Sequence, residues 1–350
     1  MNNLLGQIAM QPVDRSGLVL PYTQYFASKF NNVTNDLFSG FGVGHTWALF
    51  TGTDSETGSA WYGESPTYPN GGTGPMDVIL NGVMYLHEHV PGGLITPANY
   101  ATYGNVQIVN EAGPTGANVN VLSLTAADAG LIDTGSDQAF DTQQWLCFQS
   151  VASTTNPLPN DLENLYWRYW MKKPAYINTM PTGSDIFFEV KTGGYNGLYG
   201  GDLRISGEIV KPASGSLYWR VTCDHGGNVD EATTLLPNGN PWPTAGTNSY
   251  LYWRAQNTAI PVAADTWTKI EVYLRRSRGR GCMMMAINDV SAMEYYGNTM
   301  GVYDNPIGRF SPFGIYSVKG TCSGKIWDLL IANYPENGSV LEQRVIDRFF

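Results

Sequence analysis

Charge is scarce in this chain. Lys, Arg, Asp and Glu make up 14% of its 350 residues, well below the roughly one quarter usual for a soluble domain. The balance is acidic, with a net charge of −10. Nucleic acid is therefore not an expected partner, because phosphate backbones are held by a basic face. Adhesion to an anionic membrane is unexpected for the same reason. No run reaches the ~20 apolar residues of a membrane span, so no membrane insertion is expected. The four cysteines, Cys147, Cys223, Cys282 and Cys322, show no CxxC spacing, which leaves no zinc motif. Four buried free thiols are the plainer expectation and two disulfides the other. The opening residues, MNNLLGQIAMQPVDRSG, lack the basic region and apolar core of a secretory signal.

Turn formers and aromatics are abundant instead: 40 Gly, 21 Tyr and 10 Trp. That mixture suits β-strands joined by many turns, with surfaces that are polar without being charged. Residues 1–20 read as an arm. Residues 21–159 read as a loop-rich β region, either part of one sandwich or a small separate domain. From about residue 160 the alternation of apolar and polar positions sharpens. Strands are expected at Leu165–Lys172, Ile186–Lys191, Asp202–Ile209, Leu217–Cys223, Tyr250–Gln256, Trp267–Arg275, Cys282–Asn288, Phe313–Val318 and Lys325–Ala332. That density predicts an all-β, two-sheet antiparallel sandwich with residues 160–337 as its core. VLEQRVIDRFF, within 338–350, reads as a short helix or a docked tail.

The tetrapeptide LYWR occurs three times, at Leu165–Arg168, Leu217–Arg220 and Leu251–Arg254. The intervals are unequal, which excludes a solenoid or propeller array. Side chains alternate across a strand. Each copy therefore puts Leu and Trp on an apolar face, with Trp167, Trp219 and Trp253 between the sheets. Tyr and Arg fall on the other face. If that face meets a ligand, Tyr166, Arg168, Trp170, Tyr218, Arg220, Tyr252 and Arg254 form a glycan-binding set. Aromatic rings stack on sugar faces, and guanidinium forks donate to hydroxyls and carboxylates. If it meets only water, the same residues are ordinary cross-strand neighbours.

Three segments resemble concanavalin A-like jelly rolls, the superfamily of laminin-G-like domains, legume lectins, family-16 glycosidases and jelly-roll polysaccharide lyases. NLYWRYWMKKP (Asn164–Pro174) is similar to the strand that opens many of them. WTKIEVYLRRSRGRGCMMMAIND (Trp267–Asp289) is similar to a hairpin of theirs, and KIWDLLIANYPEN (Lys325–Asn337) to the closing strand. The resemblance implies two antiparallel sheets, one of which often binds carbohydrate. Fold alone does not give function.

Motifs for catalysis are thin. The ExDxxE run of family-16 glycosidases is absent, as are the lyase motifs RxExR and QIH. A lyase reading rests on His225 at the end of the second LYWR strand, with Arg220, Tyr195 and Tyr199 nearby. HEH (His87–His89) could offer two imidazoles to a metal, but no third ligand is identifiable. GTDSETG (Gly52–Gly58) could bind a structural calcium ion; otherwise no cofactor is expected. RRSRGRG (Arg275–Gly281) reads as a tight hairpin turn. The expected function is a carbohydrate-binding or assembly module. Its expected setting is extracellular or a virion surface, with a glycosylated surface or further copies of itself as partners. The alternative is a polysaccharide lyase acting by β-elimination on an anionic glycan.

Overall fold

Alternation along the strands builds two sheets, each apolar on one side. The computed structural model describes residues 17–38, 45–61, 82–88, 104–126, 141–148, 163–192, 202–226, 251–300, 307–318 and 322–350. The early strands are β1 (Gln24–Ser28), β2 (Thr34–Phe38), β3 (His45–Thr53), β4 (Ala60–Trp61), β5 (Gly82–Glu88), β6 (Gly104–Ala112), β7 (Asn118–Ala126) and β8 (Asp141–Phe148). The later ones are β9 (Asn164–Lys172), β10 (Gly183–Thr192), β11 (Asp202–Lys211), β12 (Tyr218–Gly226), β13 (Leu251–Asn257), β14 (Trp267–Arg275), β15 (Gly281–Ile287), β16 (Val290–Gly297), β17 (Ile307–Val318) and β18 (Cys322–Ala332). A single helical turn, α1 (Tyr176–Thr179), follows β9, and helix α2 (Val340–Phe349) ends the chain.

The smaller sheet runs β16-β15-β14-β9-β18-β7-β6, with β1 beside β18; the larger runs β13-β12-β11-β10-β17-β8-β5-β3-β2, with β4 on β3. Every pairing among the described residues is antiparallel. The fold is thus an all-β, two-sheet sandwich of jelly-roll-like architecture. Strands from residues 24–148 enter both sheets, so the N-terminal region shares the sandwich with the later strands.

Aromatic interlock fills the space between the sheets. Trp167 from the smaller sheet meets the rings of Phe188 and Phe310 from the larger at 5.2 and 5.0 Å, both edge-on. Tyr169 meets Phe313 at 5.7 Å. A bulge in β10 shifts register between Ile186 and Phe188, so the adjacent Phe187 and Phe188 both enter the core, and Phe187 meets Trp219 edge-on at 5.7 Å. Gly207 lies opposite Phe188. A Cβ there would stand 2.0 Å from the ring, so only glycine fits. Trp253 stacks on Tyr295 at 4.1 Å and donates its indole N–H to the Asn298 carbonyl. This contact ties edge strand β13 to edge strand β16. A buried Lys173–Asp185 ion pair, 2.7 Å, also spans the sheets.

The exterior of the smaller sheet is half covered. Helix α2 starts at Ser339, whose hydroxyl accepts from the Glu342 N–H, a capping interaction. It packs on β14, β15 and β16, and its Leu341, Val345 and Ile346 join one apolar cluster with Tyr166, Tyr273, Cys282, Met284 and Leu330. The C-terminal segment is therefore a docked helix.

Truncating Trp167 removes the ring that both phenylalanines grip. Trp167→Ala is expected to cost about 3–5 kcal/mol, read as a lowered urea midpoint with an unchanged slope. An unchanged midpoint would show that this interlock does not hold the sheets.

Candidate functional site

The three LYWR copies do not share one surface. The first lies in β9 of the smaller sheet; the second and third lie side by side in β12 and β13 of the larger. Cys223 pairs with Trp253, Thr222 with Arg254 and Arg220 with Gln256. Trp167, Trp219 and Trp253 are all buried in the core. The opposite faces therefore look outward from opposite sides of the sandwich, and no single groove gathers the seven predicted residues.

On the larger sheet the exterior is a lattice of paired charges. The Arg220 guanidinium donates to Glu208, and to the Ser184 hydroxyl at 2.8 Å. Arg204 grips Asp224 with two nitrogens, Nε–Oδ1 at 2.9 Å and Nη2–Oδ2 at 2.5 Å. Lys191 lies 3.2 Å from Glu189, and Ser206 donates to Glu208 at 3.0 Å. Burial pushes the Asp224 carboxyl up against the pull of Arg204, and Glu189 and Glu208 add to the rise. Arg220 is thus bound to protein carboxylate rather than open to a ligand. Arg254 is exposed and forms no ion pair among the described residues, and Tyr218 is half-buried. Tyr252 departs from the expected pattern. The register shifts where Asp224 meets Leu251, and Tyr252 packs against the core.

Of the four residues named for a lyase centre, the structure describes the side chain of Arg220 alone. His225 pairs with Leu203 through the backbone, but its side chain, like Tyr195 and Tyr199, lies outside the described residues.

On the smaller sheet, Tyr166 corrects the sequence reading. It is fully buried, in one apolar cluster with Leu20, Tyr273 and Leu341, and donates to Glu271 at 3.0 Å. The alternation is right, but this end of the face is packed over. Arg168 is also withdrawn from ligand. Its Nη1 donates to the Asp328 carbonyl at 2.9 Å and to the Asp328 carboxylate at 2.5 Å, and its Nε to Glu336. Asp328 sits at a positive φ of 54°, at the bulge between Trp327 and Leu330. Burial works against the charge on Arg168, but the two carboxylates outweigh it and hold the guanidinium protonated.

Trp170 is different. It stands opposite Trp327 of β18 on one side and Lys269 of β14 on the other, beyond the apolar patch that α2 covers. Directly opposed side chains are about 5 Å apart at Cβ, so the two tryptophans project from adjacent positions on one face. Both are half-buried, and neither indole N–H has a hydrogen-bond partner among the described residues. The Trp167 and Trp219 nitrogens are also unpartnered, but those are sealed in the core. Trp267 is committed elsewhere: it donates to the Ala112 carbonyl at 2.9 Å, and the Lys172 ammonium lies 4.8 Å from its ring centre. Lysines frame the exposed pair. Lys172 and Lys325 both bind Glu111, Lys269 lies between Glu271 and Asp289, and Lys29 binds Glu56 and sits 5.8 Å from the Trp327 ring centre. Sequence reading found Trp170 and missed Trp327, because register between strands so distant in sequence is not written in either strand.

The proposed calcium loop has another task. Asp54 is fully buried, and its carboxylate accepts from the Ser28 hydroxyl and the Lys29, Asn31, Glu56 and Thr57 N–H groups. Both oxygens are committed to holding the turn. Of HEH, the backbone of His87 and Glu88 falls within the described residues, in β5; His89 lies outside them. No cluster of three metal-ligating side chains occurs among the described residues. RRSRGRG turns between β14 and β15, with Arg276 buried and Arg278 and Arg280 exposed.

No protein-family model matches the sequence, and no curated protein matches it. Similar solved structures include an alginate lyase mutant in complex with alginate trisaccharide, at TM-score 0.37 and 9% identity over 68% of this chain and 92% of that one. An alginate lyase from Chlorella virus gives 0.39 and 10% over 66% and 89%. An endo-1,3-β-glucanase from Streptomyces sioyaensis gives 0.33 and 10% over 90% and 97%. Likeness at this level goes no further than the sandwich architecture already described.

Two predictions follow from these contacts. Arg168→Ala leaves two carboxylates unpaired and is expected to cost about 3 kcal/mol, whereas Arg254→Ala should stay within about 0.5 kcal/mol of the parent. Equal losses in thermal melts would contradict the assignment. Burial pushes the Asp54 carboxyl up, but the hydrogen bonds it accepts prevail and hold it below the ordinary value. A lowered folded value means stability that is full above the ordinary pKa and lost as pH falls through the folded one. The gap in melting temperature between parent and Asp54→Asn should therefore be widest near neutrality and narrow below about pH 4. A gap that stays constant into acid would remove the role given to the charge.

Proposed function

We propose that this protein is a carbohydrate-binding module whose sugar contact is the Trp170–Trp327 pair on the exterior of the smaller sheet. The observation that carries this reading is the pair itself. Two tryptophans at directly paired positions stay partly open on a sheet face where neighbouring aromatics are buried or committed. The apolar face of a pyranose ring stacks on such a surface, and unpartnered indole N–H groups are donors for its hydroxyls. The frame is rigid. β9 is paired on both sides, and Arg168 fixes the bulge that follows Trp327. Less ordering entropy is then lost on binding.

The lyase alternative draws no comparable support, because Arg220 is already bound to Glu208 and Ser184. Action at a glycosylated surface, outside a cell or on a virus particle, goes with the binding reading.

Titration with soluble polysaccharides, followed by tryptophan fluorescence or calorimetry, tests it. Trp170→Ala and Trp327→Ala should each weaken binding at least about fivefold, roughly 1 kcal/mol, the scale of one stacking contact. Melting temperatures should stay close to the parent's. Parental affinity in both variants would reject the site.

A further inference from the structure

We infer that the sugar taken by the Trp170–Trp327 pair is uncharged. This inference rests on the binding reading above and adds the class of ligand. An acidic glycan, carrying uronate or sulfate groups, is recognised by cations that are free to pair with it. The cations around the two indoles are not free. Lys172 and Lys325 share the Glu111 carboxylate between them. Lys269 is held by Glu271 at 3.2 Å and Asp289 at 2.7 Å. Lys29, the cation nearest the Trp327 ring, is held by Glu56 at 3.0 Å. Four ammonium groups thus face four carboxylates, and the surround of the platform is locally neutral.

An anionic ligand would have to displace Glu111, Glu56 or Asp289 from their lysines, or sit beside them as a like charge. Like-charge juxtaposition across an interface disfavours the wrong partner. The whole chain, at −10, adds a long-range field of the same sign. Arg254, exposed, stands on the other sheet, out of reach of a sugar on this one. Among the described residues, what remains at the site is uncharged chemistry: two ring faces and two N–H donors. A neutral pyranoside, with apolar C–H faces and a rim of hydroxyls, matches that inventory.

The test titrates the full chain with a neutral β-glucan and a galactomannan, and in parallel with alginate and dextran sulfate, at two salt levels. At least one neutral polymer is expected to bind, with affinity changing less than about twofold between 20 and 200 mM salt, since no screened ion pair contributes. Trp170→Ala should abolish or greatly weaken that binding. Alginate and dextran sulfate should bind at least about tenfold more weakly than the neutral ligand, a difference of roughly 1.4 kcal/mol. Glu111→Gln releases two lysines and is expected to raise affinity for the acidic polymers, in a manner that salt suppresses. If an acidic polymer binds better than the neutral ones and loses affinity in Trp170→Ala, the inference is overturned while the sugar site stands. If neither class binds, or binding ignores both tryptophans, the site itself falls and the inference with it.

Discussion

Arg168 holds the bulge at Asp328, and the exterior of the smaller sheet is arranged around that contact. β18 carries one more residue than β9 between its last two aligned stretches, from Trp327 opposite Trp170 to Leu330 opposite Arg168. An extra residue in one strand leaves backbone groups unpaired and bends the chain. Here the Asp328 carbonyl and carboxylate both accept from Arg168. The same guanidinium reaches Glu336 in the segment that leads to α2. One side chain therefore connects the aligned tryptophans to the helix that covers the other half of the face.

The two exteriors of the sandwich solve one problem differently. A sheet face left open must be polar enough for water, yet this chain has little charge to spend on it. The smaller sheet is covered over one half by α2 and carries aromatics over the rest. The larger sheet concentrates its charge in cross-strand pairs, Arg204 with Asp224 and Arg220 with Glu208, several of them with largely buried side chains. Pairs of that kind contribute little net stability, but each becomes costly when one partner is removed. They act as register pins, because a slip of one residue would turn every charge toward the Phe187–Trp219 core.

Much of the fold was legible because strand alternation is a local property. The inward faces of all three LYWR copies follow from period two alone, and so do most strands after residue 160. The Gly- and Thr-rich first half hid β1, β2 and the sharing of both sheets, because short strands there lack sustained alternation. β16 escaped notice because SAMEYYG reads as a mixed segment after a turn. The site was less legible, for a different reason. Tyr166 obeys the alternation and is still buried, because its cluster gathers residues as far apart as Leu20 and Leu341. Arg168 reads as a surface cation until Asp328 and Glu336 are brought beside it. Tyr252 leaves its face through a single register shift. These are long-range facts of pairing and packing, which one strand's residues do not encode.

The cysteines carry a consequence for handling. Cys223, Cys282 and Cys322 form no disulfide and are fully buried. Burial pushes the Cys282 thiol up to about 12 and the Cys223 thiol well above its ordinary value. The reactive species in thiol chemistry is the thiolate, and at neutral pH neither of these two supplies it. Oxidation at Cys223 and Cys282 therefore waits on opening of the fold, so their reactivity toward a thiol reagent reads how often the strands that hold them come apart.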